Sequence, residues 1–157
     1  MENPESEISG VILRLTQGSP QVQSNTIDQY FTSNAVFVHP FCRTWDIDNG
    51  RWYVKKIYQW YKVMSPEIQL TVNSIAFDKD HLKLYVNISQ VFSIWAVPFH
   101  SSDVTLTTVL SLTERVDGAM PGANGNQSGK TRYYIARQED LYQTSDPKSI
   151  LVHVFYK

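Results

Sequence analysis

One cysteine among 157 residues, Cys42, excludes an internal disulfide and a Cys-rich zinc site. That thiol usage fits a reducing compartment. No run reaches the roughly 18 apolar residues of a membrane-spanning helix, and the opening MENPESEISG lacks the basic and apolar regions of a secretory leader, so an intracellular, cytoplasmic location is expected. On that footing the acceptor patterns at Asn87-Ile88-Ser89 and Asn126-Gln127-Ser128 are accidental. Charge of one sign is missing as well: 14 basic against 15 acidic residues leave −1, without the footprint of a nucleic-acid binder. The four histidines stand far apart with no carboxylate pair beside them, so no metal site is expected. GANGNQSGK precedes a strand rather than linking a strand to a helix, so neither a phosphate loop nor a cofactor is expected.

What is plentiful is aromatic: 13% Phe, Trp and Tyr, enough for a large core or an apolar pocket. The length suits a single domain over 1–157, with a core from about 5 to 143 and a short apolar tail over 144–157. Ile8, Val11, Ile12 and Leu15 fall at helical spacing, and TQGSP then supplies a Gly stop and a Ser-Pro start. The second helix runs from about Pro20 to Phe31, with Val22, Ile27, Tyr30 and Phe31 as core candidates. NAVFVHPFCRT reads as a strand, Phe37 and His39 on one face and Val36 and Val38 on the other, until Pro40 removes a ladder donor. DIDNGRWYVKKIYQWYKVMSP reads as a helix with a stripe of Val54, Ile57, Tyr58, Tyr61 and Met64, ended by Pro66.

Beyond Pro66 the period is two. Ile68, Leu70 and Val72 alternate in one strand; FDKDH is a turn; Leu82, Leu84, Val86, Ile88, Gln90, Phe92 and Ile94 share one face of the next. Val104, Leu106, Thr108, Leu110 and Leu112 form the apolar face of a third strand, a Gly/Asn/Pro-rich loop follows, and KTRYYIARQEDLYQ is the last strand. Helices followed by long antiparallel strands give an α+β fold with the helices on one face of a strongly curved mixed or antiparallel sheet.

This order, with VFVHPFCR on the first strand and YYIARQEDLYQ on the last, resembles the nuclear transport factor 2-like (NTF2-like) superfamily, which includes SnoaL-like cyclases, ketosteroid isomerase and scytalone dehydratase. Within it the chain resembles the fungal SigF-like subgroup, over about Glu5 to Gln143. The resemblance implies a cone-shaped sheet around an apolar pocket, closed at its mouth by helices and loops. It also implies a possible homodimer and, in forms with a longer hydrophobic C-terminal tail, membrane or lipid-droplet association. The catalytic triad of the isomerases and the paired histidines of the dehydratases find no residue-by-residue match here.

In such a cone His39 and Asp140 are the candidate catalytic groups, since burial lowers an imidazole's pKa and raises a carboxyl's. The candidate ligand-binding residues are Tyr30, Phe37, Trp52, Tyr58, Tyr61, Gln90, His100, Thr108 and Tyr134. Gln90 and Thr108 stand out as polar residues inside apolar alternating rows, where a polar group must find a partner or a ligand. Alternation puts Tyr134, Ala136, Gln138 and Asp140 on one face of the last strand and Tyr133, Ile135, Arg137 and Glu139 on the other, and leaves open which is inner. Cys42, three beyond His39, is expected on the opposite face of its strand. The expected function is binding of an apolar or polycyclic small molecule such as a lipid, terpenoid or polyketide. The alternatives are a cofactor-independent isomerase, dehydratase or cyclase, and a protein-interaction module using the sheet.

Overall fold

The computed structural model describes residues 1–93, 101–117 and 130–142. The readings placed on His100, on the Gly/Asn/Pro-rich loop and on the C-terminal tail lie outside these residues.

Helix α1, Pro4–Thr16, begins where a capping box sets it: Asn3 Oδ1 accepts from Ser6 N–H at 3.3 Å, and Glu7 accepts from Asn3 N–H at 2.8 Å. Its inward stripe is Ile8, Val11, Ile12 and Leu15, all buried. Helix α2, Pro20–Tyr30, starts on Ser19, whose hydroxyl oxygen accepts from Val22 N–H, with Pro20 in the first turn. Ile27, Tyr30 and Phe31 are buried as the sequence suggests, but Val22 is 40% exposed. Gln23 and Thr26 take the inward positions beside Ile27. Thr26 donates its hydroxyl to the Val22 carbonyl at 2.7 Å and Gln23 its Nε2–H to the Leu15 carbonyl at 2.7 Å, which offsets part of the cost of burying them, although Gln23 Oε1 is left without a partner.

The described residues contain six strands: β1 Phe31–His39, β2 Cys42–Arg43, β3 Ile68–Asp78, β4 Lys83–Ser93, β5 Ser101–Asp117 and β6 Lys130–Tyr142. They form one curled, unclosed sheet in the order β2-β1-β6-β5-β4-β3, with β1 parallel to β6 and every other neighbour pair antiparallel. The apolar rows expected from period two are inward: Leu84, Val86 and Ile88 on β4, and Val104, Leu106, Leu110 and Leu112 on β5. Helix α3, Gly50–Met64, lies on β1, and α1 lies on β3. Gly50 permits that close seat, because a Cβ there would stand 2.5 Å from the carbonyl oxygen of Ala35.

Two irregularities decide which side chains face inward. At the first, β1 turns back through Pro40 and Phe41 and pairs His39 directly with Cys42. Directly opposed residues of an antiparallel pair share a face, so Cys42 lies on the His39 side, contrary to the expectation from spacing. At the second, Ser111 pairs with Arg137 but Leu112 pairs with Ile135, leaving Ala136 as an extra residue on β6. This bulge shifts the alternation by one. Tyr133 and Ile135 are buried before it, and Gln138 is buried after it, with Asp140 and Tyr142 in phase with Gln138. Neither of the two faces drawn from strict alternation survives, and the inner face is Tyr133, Ile135, Gln138, Asp140 and Tyr142.

Candidate functional site

Between α1, α3 and the inner face of the sheet lies a cavity of about 340 Å³. Ile8 and Ile12 of α1, Ile68 and Leu70 of β3, and Ile88 of β4 supply much of its apolar lining. Phe37 of β1 adds an aromatic wall that packs edge-on against Tyr58, with ring centroids 5.8 Å apart.

Two hydrogen-bonded groups interrupt this lining. The first begins at α3: Tyr58 O–H donates to Gln138 Oε1 at 2.9 Å, and Gln138 Nε2–H donates to Asp140 Oδ1 at 3.1 Å. Thr108, the polar residue in the apolar row of β5, donates its hydroxyl to the same Oδ1 at 2.8 Å. The register explains the contact, since Thr108 stands opposite Asp140 on the paired strands. Burial pushes the Asp140 carboxyl up to about 6, while the bonds from Thr108 and Gln138 favour the carboxylate and restrain the rise. Burial likewise drives Tyr58 well above the ordinary phenol value, so it stays a donor.

The second group is His39 and Tyr142, with Nε2 2.8 Å from the phenol oxygen. Burial pulls the imidazole down to about 4, so the ring is neutral at physiological pH. The backbone N–H of Phe41 donates to Nδ1 at 3.4 Å, which makes Nδ1 the acceptor nitrogen. The ring proton therefore sits on Nε2 and is donated to Tyr142. That leaves Tyr142 with its own O–H to offer to a molecule in the cavity. Burial, with the Asp140 charge adding to it, raises the Tyr142 phenol above its usual range. Tyr61 lies beside His39, ring centroids 5.4 Å apart, and its hydroxyl is 3.4 Å from Cys42 Sγ.

The cavity thus brings together His39, Asp140, Phe37, Tyr58, Tyr61, Gln90 and Thr108 of the residues singled out in the sequence. Three others are elsewhere. Tyr30 is buried between helices, where its hydroxyl accepts from Arg14 Nη2 at 3.2 Å, because the seventh position after Gln23 points into the α1 packing. Trp52 is 53% exposed on the outer side of α3, more than a quarter turn from the inward Tyr58 line. Tyr134 lies under the Arg115 guanidinium, whose carbon is 5.3 Å from the ring centre, because the bulge leaves it on the outer face. Gln138 and Tyr142 were not singled out. Gln138 had a visible signal as an amide flanked by strand residues, whereas Tyr142 could not be assigned a face without the bulge. The charges that crowd the end of the strand are divided by the same bulge: Arg137 and Glu139 pair on the outside at 3.1 Å, and Asp140 goes in. Among the described residues, no three His, Cys, Asp or Glu side chains gather as metal ligands.

No curated protein matches the chain. Among solved structures it is similar to a protein of ketosteroid isomerase-like fold from Catenulispora acidiphila DSM 44928, in complex with trimethylamine. That likeness has 14% identity, covers 88% of this chain and 85% of the other, and has a TM-score of 0.59. A candidate isomerase of the SnoaL-like family from Agrobacterium tumefaciens str. C58 is 10% identical over 88% and 97% of the two chains, with a TM-score of 0.59. A candidate SnoaL-like polyketide cyclase from Jannaschia sp. CCS1 is 12% identical over 88% and 87%, with a TM-score of 0.58. At such identities these neighbours establish the fold alone. The profile of the SigF NTF2-like domain, in contrast, matches residues 1–156, and the chain belongs to that family.

Proposed function

We propose that the cavity binds one apolar small molecule, of the size of a terpenoid, a polyketide or part of a lipid, that carries an oxygen function at one end. The observation that supports this most is the lining: an apolar space of about 340 Å³ with Tyr142, Asp140 and Thr108 on one wall. A volume of that order is typical of small-molecule sites. The apolar body gains by leaving water, and the oxygen end meets the Tyr142 hydroxyl and the Asp140 carboxyl. Native mass spectrometry of gently purified protein tests the reading. A single retained molecule is expected on the wild type, with retention about tenfold lower in His39→Ala, equivalent to about 1.4 kcal/mol. Equal retention by the folded His39→Ala and Asp140→Asn variants would refute it.

A second reading, acid-base catalysis without a cofactor, is favoured by one specific feature. Asp140, with a carboxyl raised to about 6, stands in the same wall as a phenol that can donate. A carboxylate of that basicity can take a proton next to a carbonyl while a phenol holds the developing oxyanion. The retained molecule, recovered after incubation in deuterated buffer, should gain deuterium with the wild type and not with Asp140→Asn. No gain with either protein leaves binding as the function.

A further inference from the structure

We propose that the outer face of α3 docks on an anionic lipid surface, holding the cavity mouth against the bilayer. In a chain of net charge −1, the fifteen residues of α3 contain Arg51, Lys55, Lys56 and Lys62 and no acidic residue. Arg51 and Lys55 are engaged by Asp28 of α2. Lys56, which donates to the Gln59 amide oxygen at 3.2 Å, and Lys62, which lines the cavity and reaches the Thr16 carbonyl at 3.4 Å, meet neutral acceptors there and keep their charge available to an external anion.

Between these cations the helix exposes large apolar groups. Trp52, Lys56, Gln59 and Val63 fall within about 60° of arc at the helical period, directly opposite the buried Val54, Tyr58 and Tyr61 side. Trp52 is 53% and Val63 65% exposed, and the Lys56 ammonium lies 5.3 Å from the Trp52 ring centre. Trp60, on one flank, is 53% exposed and also lines the cavity, as does the exposed Phe41. The apolar outer face is therefore continuous with the apolar interior. In the segment that leads into the helix, Arg43 is stacked over the exposed Trp45. Tryptophans beside lysines and arginines suit the interface between headgroups and acyl chains, where the ring is half immersed and the cation meets a phosphate or carboxylate. A bilayer fits this mixture better than an acidic protein would, because an acidic partner accounts for the cations and not for the exposed Trp52 and Val63. A molecule entering the cavity from a docked membrane would not have to cross water.

Flotation of the full chain with phosphatidylcholine vesicles, with and without about 30 mol% phosphatidylserine, tests the proposal whatever the cavity holds. Partitioning is expected to be about tenfold or more stronger with the anionic vesicles, to weaken as salt rises from about 0.05 to 0.5 M, and to blue-shift the tryptophan emission. The double variant Trp52→Gln/Lys56→Glu should lose about tenfold of this binding while keeping its thermal transition. Val63→Ser should show a smaller loss, and serves alone if the double variant does not fold. Tyr85→Gln, on the outer side of β4, should bind as the wild type does. No flotation of the wild type, or equal flotation of the folded variants, overturns the proposal. So does concentration-dependent self-association that the same substitutions abolish without any vesicle binding, which would assign the face to a second copy.

Discussion

Two parts of one cavity wall handle a proton in opposite ways. On β5 and β6, Asp140 is raised from 3.8 to about 6, and at the β1 turn, His39 is lowered from 6.5 to about 4. Burial is the principal cause at both, because it disfavours whichever form is charged. The usual order, in which a histidine holds its proton to higher pH than an aspartate, is thereby inverted. Near pH 5 neither group is charged, and near pH 7 the wall carries one anion, Asp140, held by two hydrogen bonds.

The difference has consequences of opposite sign for stability. Folded Asp140 keeps its proton where the unfolded chain has released it, so its contribution falls as pH rises from about 4 to 6. Folded His39 has lost its proton where the unfolded chain still holds it, so its contribution rises from about 4 to 6.5. Between about pH 4 and 6 the two slopes oppose each other.

The largest effect is expected from removing the ring that packs against a member of each hydrogen-bonded group, His39 in one and Tyr58 in the other. Phe37 is buried, with its ring stacked on His39 at 6.2 Å and edge-on to Tyr58. Phe37→Ala should cost about 3–5 kcal/mol in chemical denaturation and move both titrations toward their ordinary values. Next, each slope can be exposed alone. Asp140→Asn should leave a stability that rises between about pH 4 and 6.5, and His39→Gln one that falls between about 4 and 6, each at no more than about 1.4 kcal/mol per pH unit. Parallel curves for the two variants would break the comparison. Tyr142→Phe should cost about 1–2 kcal/mol, since it leaves the His39 Nε2–H without its acceptor. Smallest is Arg137→Gln, which breaks an exposed pair with Glu139 on the outer side of β6 and should change stability by less than about 0.5 kcal/mol.

The sequence made much of this fold legible because most of it follows simple periods. The α1 stripe, the Ser19-Pro20 start and the inward rows of β4 and β5 all obey a period of 3.6 or two. The SigF-like resemblance pointed to the family that the domain profile identifies. The site was harder to read where one residue changes the phase. Ala136 reverses the alternation of β6, which sent Tyr134 outward and hid Tyr142. The Pro40-Phe41 turn folds Cys42 back onto the His39 face, a consequence of pairing rather than of spacing. In α3, Tyr58 and Tyr61 line the cavity while Trp52 faces away, and composition alone could not divide an aromatic set spread around the whole helix.

The inverted order of titration is tested most directly by NMR, following the Asp140 side-chain carboxyl carbon and the His39 ring nitrogens from pH 3 to 8. The account predicts an Asp140 midpoint near 6, and a His39 ring that stays neutral, with its proton on Nε2, down to about pH 4. An Asp140 midpoint at or below its ordinary 3.8, together with a His39 midpoint at or above 6.5, would contradict it.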